Sequence, residues 1–437
     1  MENLKNFIKR MPKHWFVAVS AWTSKIIVSL VQIVSIRTLL LYLGEERYAV
    51  YVIAYSLTSW FVLSDFGIGL SLQNFISECR AKKESYDKYL LASLQIAVVL
   101  FFAMAALILI ISSPVQDILF RKFFANTNLN SLPIVFTVGI VTLANVIANY
   151  VFRVYYAEHK GYISNILPAL AAVCSMTLIF FINRYSHDKQ SIMTALLVFT
   201  LPNLIFTVIP FIKVFKKFFI KLFDVNASVI KSLLLRSAKF QGIAVLGVIY
   251  AQTDYIVISQ TLHPKSIIAY SIFMRVFMFF SFIYTSLLSA SWPVFSEMYV
   301  EKKYGELRSK IKQYITYAAF LITAGTAAVY ICSGLIVKIL APGTGIIPEA
   351  FLILLLGIYM LVKSYSDTLS AMLQSFNVLK IFWISMPFQI ILNIILQYIL
   401  SKKYGPEGIV AGLIISLLLT TCWVLPLKLN NLLRNRK

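Results

Sequence analysis

The stretch VKSYSDTLSAMLQSF, Val362 to Phe376, follows the apolar run AFLILLLGIYML. It sets a lysine and an aspartate near the middle of a segment long enough to cross a bilayer. Lys363, Asp367, Ser370 and Gln374 step by 4, 3 and 4, which aligns them along one face of a helix. A second stripe, Thr142, Asn145, Asn149, Arg153 and Tyr156, steps by 3, 4, 4 and 3, and Lys25, Ser29 and Gln32 share a face of the first apolar segment. With Arg37 and Arg275, five basic residues fall inside apolar segments, beside three aspartates, Asp65, Asp254 and Asp367. Such cations attract an anion. Asparagine, glutamine, serine and tyrosine on the same stripes offer the donors and acceptors that sugar hydroxyls need. A desolvated aspartate can take up and release a proton in a useful range.

At about 3 kcal/mol for each charge at mid-membrane, the eight groups carry a gross insertion cost of about 24 kcal/mol. That exceeds the net stability of about 5 to 15 kcal/mol typical of a folded protein. The charges must be paired or solvated by a water-filled cavity, and the surplus of cations over aspartates means that pairing cannot neutralise them all. Each has a plainer reading. Lys363 and Asp367 can form an intrahelical ion pair, Arg37 and Arg153 can snorkel from span ends, and Asp65 and Asp254 can serve packing alone. Taken together the stripes point to a polar cavity that attracts a phosphate or pyrophosphate on a hydrophobic carrier, whose tail stays in the bilayer. Lys25, Arg37, Arg153, Arg275 and Lys363 are the candidate anion-binding cations, Gln32, Asn145, Asn149, Ser370 and Gln374 the polar walls, and Asp65, Asp254 and Asp367 the candidate ion-coupling groups.

The elements that must position these residues are membrane helices. The 437 residues are 59% hydrophobic and 13% charged, with mean hydropathy +0.80, which indicates an integral membrane protein. Twelve candidate spans lie at roughly 15 to 43, 48 to 75, 89 to 112, 132 to 157, 162 to 182, 191 to 212, 240 to 261, 267 to 295, 313 to 338, 348 to 375, 380 to 400 and 407 to 427. The first is too long for a signal-peptide core and reads as retained. Of the 40 lysines and arginines, 26 fall in one set of loops and the termini, nine in the other set, and five in the spans. The larger set marks the cytoplasmic side, with both termini on it. This bias accounts for the net charge of +22 without nucleic acid.

The basic, aromatic segment 213–239 suits an amphipathic linker on an anionic leaflet and divides a bundle at 1–212 from one at 240–437. An ungapped shift of 219 residues pairs YLGEERYAVY with TLHPKSIIAY, Ser77-Glu78 with Ser296-Glu297 and Lys83 with Lys302, which suggests two related six-helix halves around a central polar cavity. The chain has no Gly-Lys dipeptide, HExxH, GxSxG or DxD, so nucleotide-driven pumping and metal-dependent hydrolysis or sugar transfer find no signature. The four cysteines lie far apart, and no cofactor or metal is expected. GIVAG at Gly408 to Gly412 reads as a close helix contact.

LLYLGEERYAVYVIAYSLTSWFVLSDFGIGLSLQNFISE, Leu40 to Glu78, resembles the start of Wzx-type polysaccharide and O-antigen flippases of the multidrug/oligosaccharidyl-lipid/polysaccharide (MOP) exporter superfamily. Leu43, Gly44, Tyr48 and Tyr51 match that family's LGxxxYGxY pattern with Ala49 in place of its second Gly, Asp65 to Ile68 give its DxGL-like turn as DFGI, and TDYIVIS, Thr253 to Ser259, is similar to its seventh-helix run. The resemblance implies an all-α, MATE-like fold and a flippase, not an enzyme. It would carry undecaprenyl-pyrophosphate-linked oligosaccharide across the inner membrane to the periplasmic leaflet, by alternating access coupled to H+ or Na+, among other polysaccharide-assembly membrane proteins. Multidrug efflux would favour an acidic cavity, and a polymerase or ligase usually carries a large periplasmic loop. The longest outside loop here, 113 to 131, is about 20 residues.

Overall fold

The computed structural model describes residues 13–124, 132–185, 191–376, 378 and 380–434, and these are helical apart from short turns. The basic stretch up to residue 12, Lys189, Arg436 and Lys437 lie outside the described residues. Helix α1 (Lys13–Phe61) is two spans divided at Gly44, whose φ of 74° and ψ of 173° belong to a region that only glycine enters without strain. A 3-10 turn (Val62–Asp65) follows, and Phe66 and Gly67, both left-handed with φ of 47° and 72°, lead into α2 (Ile68–Ala81). Then come α3 (Asp87–Phe124), α4 (Leu132–Ala148) and α5 (Tyr150–Ala157), the last two separated by Asn149 alone. Helices α6 (Gly161–Tyr185) and α7 (Ile192–Phe215) precede a second 3-10 turn (Lys216–Lys221) and α8 (Ala227–Thr261). The remainder is α9 (Pro264–Val300), α10 (Tyr304–Leu340), α11 (Ala350–Ser375), α12 (Lys380–Leu419), broken at Gly405, and α13 (Thr421–Arg434). Divided at the two kinked glycines and joined across interruptions within one span, these make the twelve spans expected from hydropathy.

The outer faces are what a bilayer requires. Val99, Phe102 and Ile110 on α3 are exposed by 68, 68 and 74%, and Ile331 on α10 by 80%, an apolar surface that water would not tolerate. The chain forms two compact units, Met1–Val248 and Ile249–Lys437, with the division inside α8. In the first, Leu72, Ile76, Leu94, Tyr150, Val151 and Phe215 form a core. In the second, Tyr284, Phe295, Leu369, Met372 and Leu425 do so.

The 219-residue repeat is visible in the backbone. Lys83 and Lys302 are both left-handed at φ 59°. Lys83 N–H donates to the Arg80 carbonyl and Glu84 N–H to that of Cys79, while Lys302 donates to Tyr299 and Lys303 to Met298. Each partner lies 219 residues beyond its counterpart, so the same helix-ending turn is built twice. The ends of α2 at Ala81 and α9 at Val300, and the starts of α6 at Gly161 and α12 at Lys380, keep the same offset. GIVAG is a close contact: a Cβ at Gly408 would lie 2.2 Å from the Leu400 carbonyl oxygen, and one at Gly412 2.8 Å from the Gln397 nitrogen.

Candidate functional site

Both mid-span interruptions of the first unit fall beside its polar stripe. At the break between α1 and α2, the Asp65 carboxylate accepts the Gly69 N–H at 3.0 Å, a capping bond favoured by the positive end of the helix dipole. Arg153, one turn beyond the break at Asn149, packs over the same turn, since a Cβ at Gly69 would meet its Cγ at 3.1 Å and Asp65 Oδ1 at 3.2 Å. Its charge is near enough to act on Asp65 and Tyr156 through space. The Tyr156 hydroxyl donates to Asn165 Oδ1, and Asn165 Nδ2 donates to Ser20 at 3.0 Å. DFGI is therefore a structural turn whose aspartate and left-handed residues end one helix and start the next under an arginine.

On the other side of the Asn149 break lies a cavity of 180 Å³. Helix α4 contributes Thr142 and Asn145, and Asn149 follows them; Tyr55, Thr58 and Ser59 come from α1, and Phe199, Thr200 and Asn203 from α7. These residues lie about 10 to 25 Å along their helices from Gly44, Leu132 and Ile192 at about 1.5 Å per residue, which is mid-depth in a hydrocarbon core of about 30 Å. Tyr51 stacks on Tyr55 with ring centroids 5.7 Å apart and meets Phe199 edge-on at 6.3 Å, so it braces the two aromatic residues that line the cavity. Thr142 Oγ1 and Asn145 Oδ1 are buried with no hydrogen-bond partner among the described residues.

In the second unit, Lys363 and Asp367 form the ion pair that their spacing allows. Asp254 is 8% exposed and accepts the Tyr270 hydroxyl at 2.7 Å and the Tyr255 N–H at 2.9 Å. Ser370, Gln374 and Arg275 are half-buried. On α1, Lys25, Gln32 and Arg37 are exposed and do not line the cavity. The structure thus gathers Asn145 and Asn149 with residues that sequence reasoning passed over, namely Tyr55, Thr58, Ser59, Thr200 and Asn203. A signal was present, because 55, 58 and 59 are polar at helical spacing within an apolar run.

The ends of the first unit's helices are tied by charge. Arg80 donates to the Ala157 carbonyl at the end of α5. Tyr86 donates to Glu158 at 2.8 Å, Lys160 pairs with Glu158 at 2.7 Å, and Arg236 pairs with Glu78 at 2.6 Å.

The model of the family described as "Polysaccharide biosynthesis protein" matches residues 15–299. The chain belongs to the polysaccharide biosynthesis protein family. A second model, MatE, matches residues 242–399. A Yersinia pseudotuberculosis protein named for O-antigen export is 34% identical over 426 residues, covering 95% of this chain and 96% of its own. A Salmonella typhi protein named for O-antigen transport is 34% identical over 418 residues, with 95% and 96% covered. Among solved structures, an inward-facing multidrug resistance MATE family transporter of the MOP superfamily superposes with a TM-score of 0.70 at 16% identity, covering 95% of this chain and 98% of that one. The lipid II flippase MurJ, inward closed, gives 0.68 at 15% identity, with 95% and 87% covered. This polysaccharide biosynthesis protein accordingly has the MOP fold and is an integral, multi-pass membrane protein, as its opening motifs led one to expect.

Proposed function

We propose that the protein is a flippase that moves polyprenyl-pyrophosphate-linked oligosaccharide from the cytoplasmic to the periplasmic leaflet by alternating between inward- and outward-facing states. The observation that carries this reading is the meeting, within the first unit, of a helix broken at Val62–Gly67 with one interrupted at the single residue Asn149. There Arg153 packs over the turn that holds Asp65 on one side of Asn149, and an uncharged polar cavity opens on the other. Irregular backbone at membrane depth is tolerated where it lines a cavity, and transporters place substrate sites at such breaks. The names of the 34% identical relatives agree with this substrate class. Arg153 is the group suited to the pyrophosphate, because a guanidinium binds such oxygens bidentately, with Lys363, Arg275, Lys25 and Arg37 as further cations. Asp367 and Asp254 are suited to ion coupling. An anion bound at Lys363 would compete with Asp367 for the same ammonium group, which ties substrate occupancy to this ion pair.

Reconstituted flipping of a fluorescent lipid-linked oligosaccharide tests the reading. Arg153→Ala and Lys363→Ala, with expression intact, should each slow flipping at least about tenfold, the loss of one charge-assisted hydrogen bond of about 1.5 kcal/mol or more. Wild-type rates in both would refute the cationic site. An organic cation, the cargo of a drug exporter, would seek carboxylates beside aromatic faces, and among the described residues the lining of this cavity sets hydroxyls and amides, not carboxylates, beside Tyr55 and Phe199.

A further inference from the structure

The internal repeat shows what is particular about the first unit. Its second and fourth spans are interrupted at Val62–Gly67 and at Asn149, whereas their counterparts α9 and α11 run unbroken. The residues 219 beyond Asp65 and Asn149 are Tyr284 and Thr368, and these two close on each other in a buried hydrogen bond. At the positions of Tyr55, Thr58 and Val141 the second unit has Met274, Phe277 and Met360, exposed by 5, 0 and 0%. At these three positions one architecture, used twice, buries apolar side chains in one half and lines a polar cavity in the other. Packing alone favours filling, because a void forfeits contacts and an unpartnered buried polar group costs about 1 to 3 kcal/mol. The first unit nonetheless keeps Thr142 Oγ1 and Asn145 Oδ1 buried and, among the described residues, unpartnered at the cavity wall.

The lining defines the ligand. Threonine and serine hydroxyls and three asparagine amides both donate and accept, no aspartate, glutamate, lysine or arginine among the described residues lines the cavity, and Tyr55 and Phe199 add aromatic faces. That set matches a neutral polyhydroxylated ring, which hydrogen-bonds at its edge and packs its C–H faces on aromatics. A volume of 180 Å³ holds a cluster of waters when empty, at roughly 10 to 15 Å³ each, and a guest ring replaces them.

The geometry points to this cavity as a glycan subsite that takes one sugar residue of the carried oligosaccharide while the pyrophosphate is held elsewhere by cations. The inference rests on the flippase reading and adds that the first unit reads the sugar and not only the lipid. Copying the second unit's residues, Tyr55→Met and Thr58→Phe, fills the subsite. Two substrates are compared in proteoliposomes: the lipid-linked repeat unit purified from cells lacking this gene, and undecaprenyl pyrophosphate without sugar. The filled variant should lower the ratio of glycosylated to bare lipid transport about tenfold, the effect of one or two lost hydrogen bonds of about 0.5 to 1.5 kcal/mol each. An unchanged ratio in a folded variant overturns the subsite and leaves the flippase standing, and equal loss with both lipids does the same. Wild-type protein that moves neither lipid overturns both. Should the filled variant not fold, Ser59→Cys serves instead, with maleimide modification of its peptide read by mass spectrometry. The glycosylated lipid should slow that modification about tenfold relative to the bare one. Equal protection by both overturns the subsite.

Discussion

Gly408 shows how little room single residues have here. Its hydrogen stands where a Cβ would sit 2.2 Å from a backbone carbonyl oxygen, which cannot swing aside as a side chain could. Gly408→Ala should therefore destabilise by about 1 to 3 kcal/mol through overpacking, read as a lowered melting temperature in detergent. Close by, the Asn393 amide oxygen accepts from Gln397 at 3.0 Å and from Ser416 at 3.2 Å, so polar residues that hydropathy would count against the helix tie it to its neighbour. GxxxG spacing was enough to expect this contact. The stripe of Thr142, Asn145 and Asn149 was equally legible, since a polar face in an apolar helix must turn away from lipid. Asn203 was not, because a lone polar residue in an apolar segment has many uses until a neighbouring helix is placed against it.

Breaks and ends decide what the helices do. Gly44 divides one helical run into two spans with a backbone conformation close to glycine-only, and Gly44→Ala should cost about 1 to 3 kcal/mol of strain, measured as lost thermal stability with the spans' helicity retained by circular dichroism. At the end of α5, burial alone would raise the Glu158 carboxyl, but hydrogen bonds from Lys160 and Tyr86 and the charge of Arg80 outweigh it and hold the group below its ordinary value. The Tyr86 phenol is pushed up to about 12 by burial and by the same carboxylate. A carboxyl lowered in the folded state adds stability above its unfolded value of about 4.3 and loses it as pH falls through the folded one. The melting temperature of Glu158→Gln should accordingly lie below that of wild type at pH 7, with the gap closing below about pH 4. A gap independent of pH would show that the hydrogen bonds act without the charge. Helix existence and span length follow from apolar content, but interruptions such as Val62–Gly67 do not, since FVLSDFGIG remains apolar enough to continue.

For the molecule as a whole, orientation is the testable consequence of its charge. With 26 basic residues in one set of loops and nine in the other, Lys303→Cys should react with a membrane-impermeant maleimide in inverted vesicles and Lys265→Cys in spheroplasts. The reverse pattern would invert the proposed direction of flipping. The sequence by itself determined that the chain is a twelve-span, all-helical membrane protein with an internal repeat, because bilayer thickness fixes the length of apolar runs and periodicity fixes which residues share a face. It also put cations and aspartates inside the spans. Only the tertiary structure decided that Arg153 packs over the turn that holds Asp65, that Tyr55, Thr58 and Asn203 join the Asn145 stripe around a cavity, and that Met274, Phe277 and Met360 are buried where their counterparts in the first unit line that cavity. Those outcomes depend on which helices pack side by side and on where the backbone stops being helical, and both are set by contacts between residues far apart in the chain.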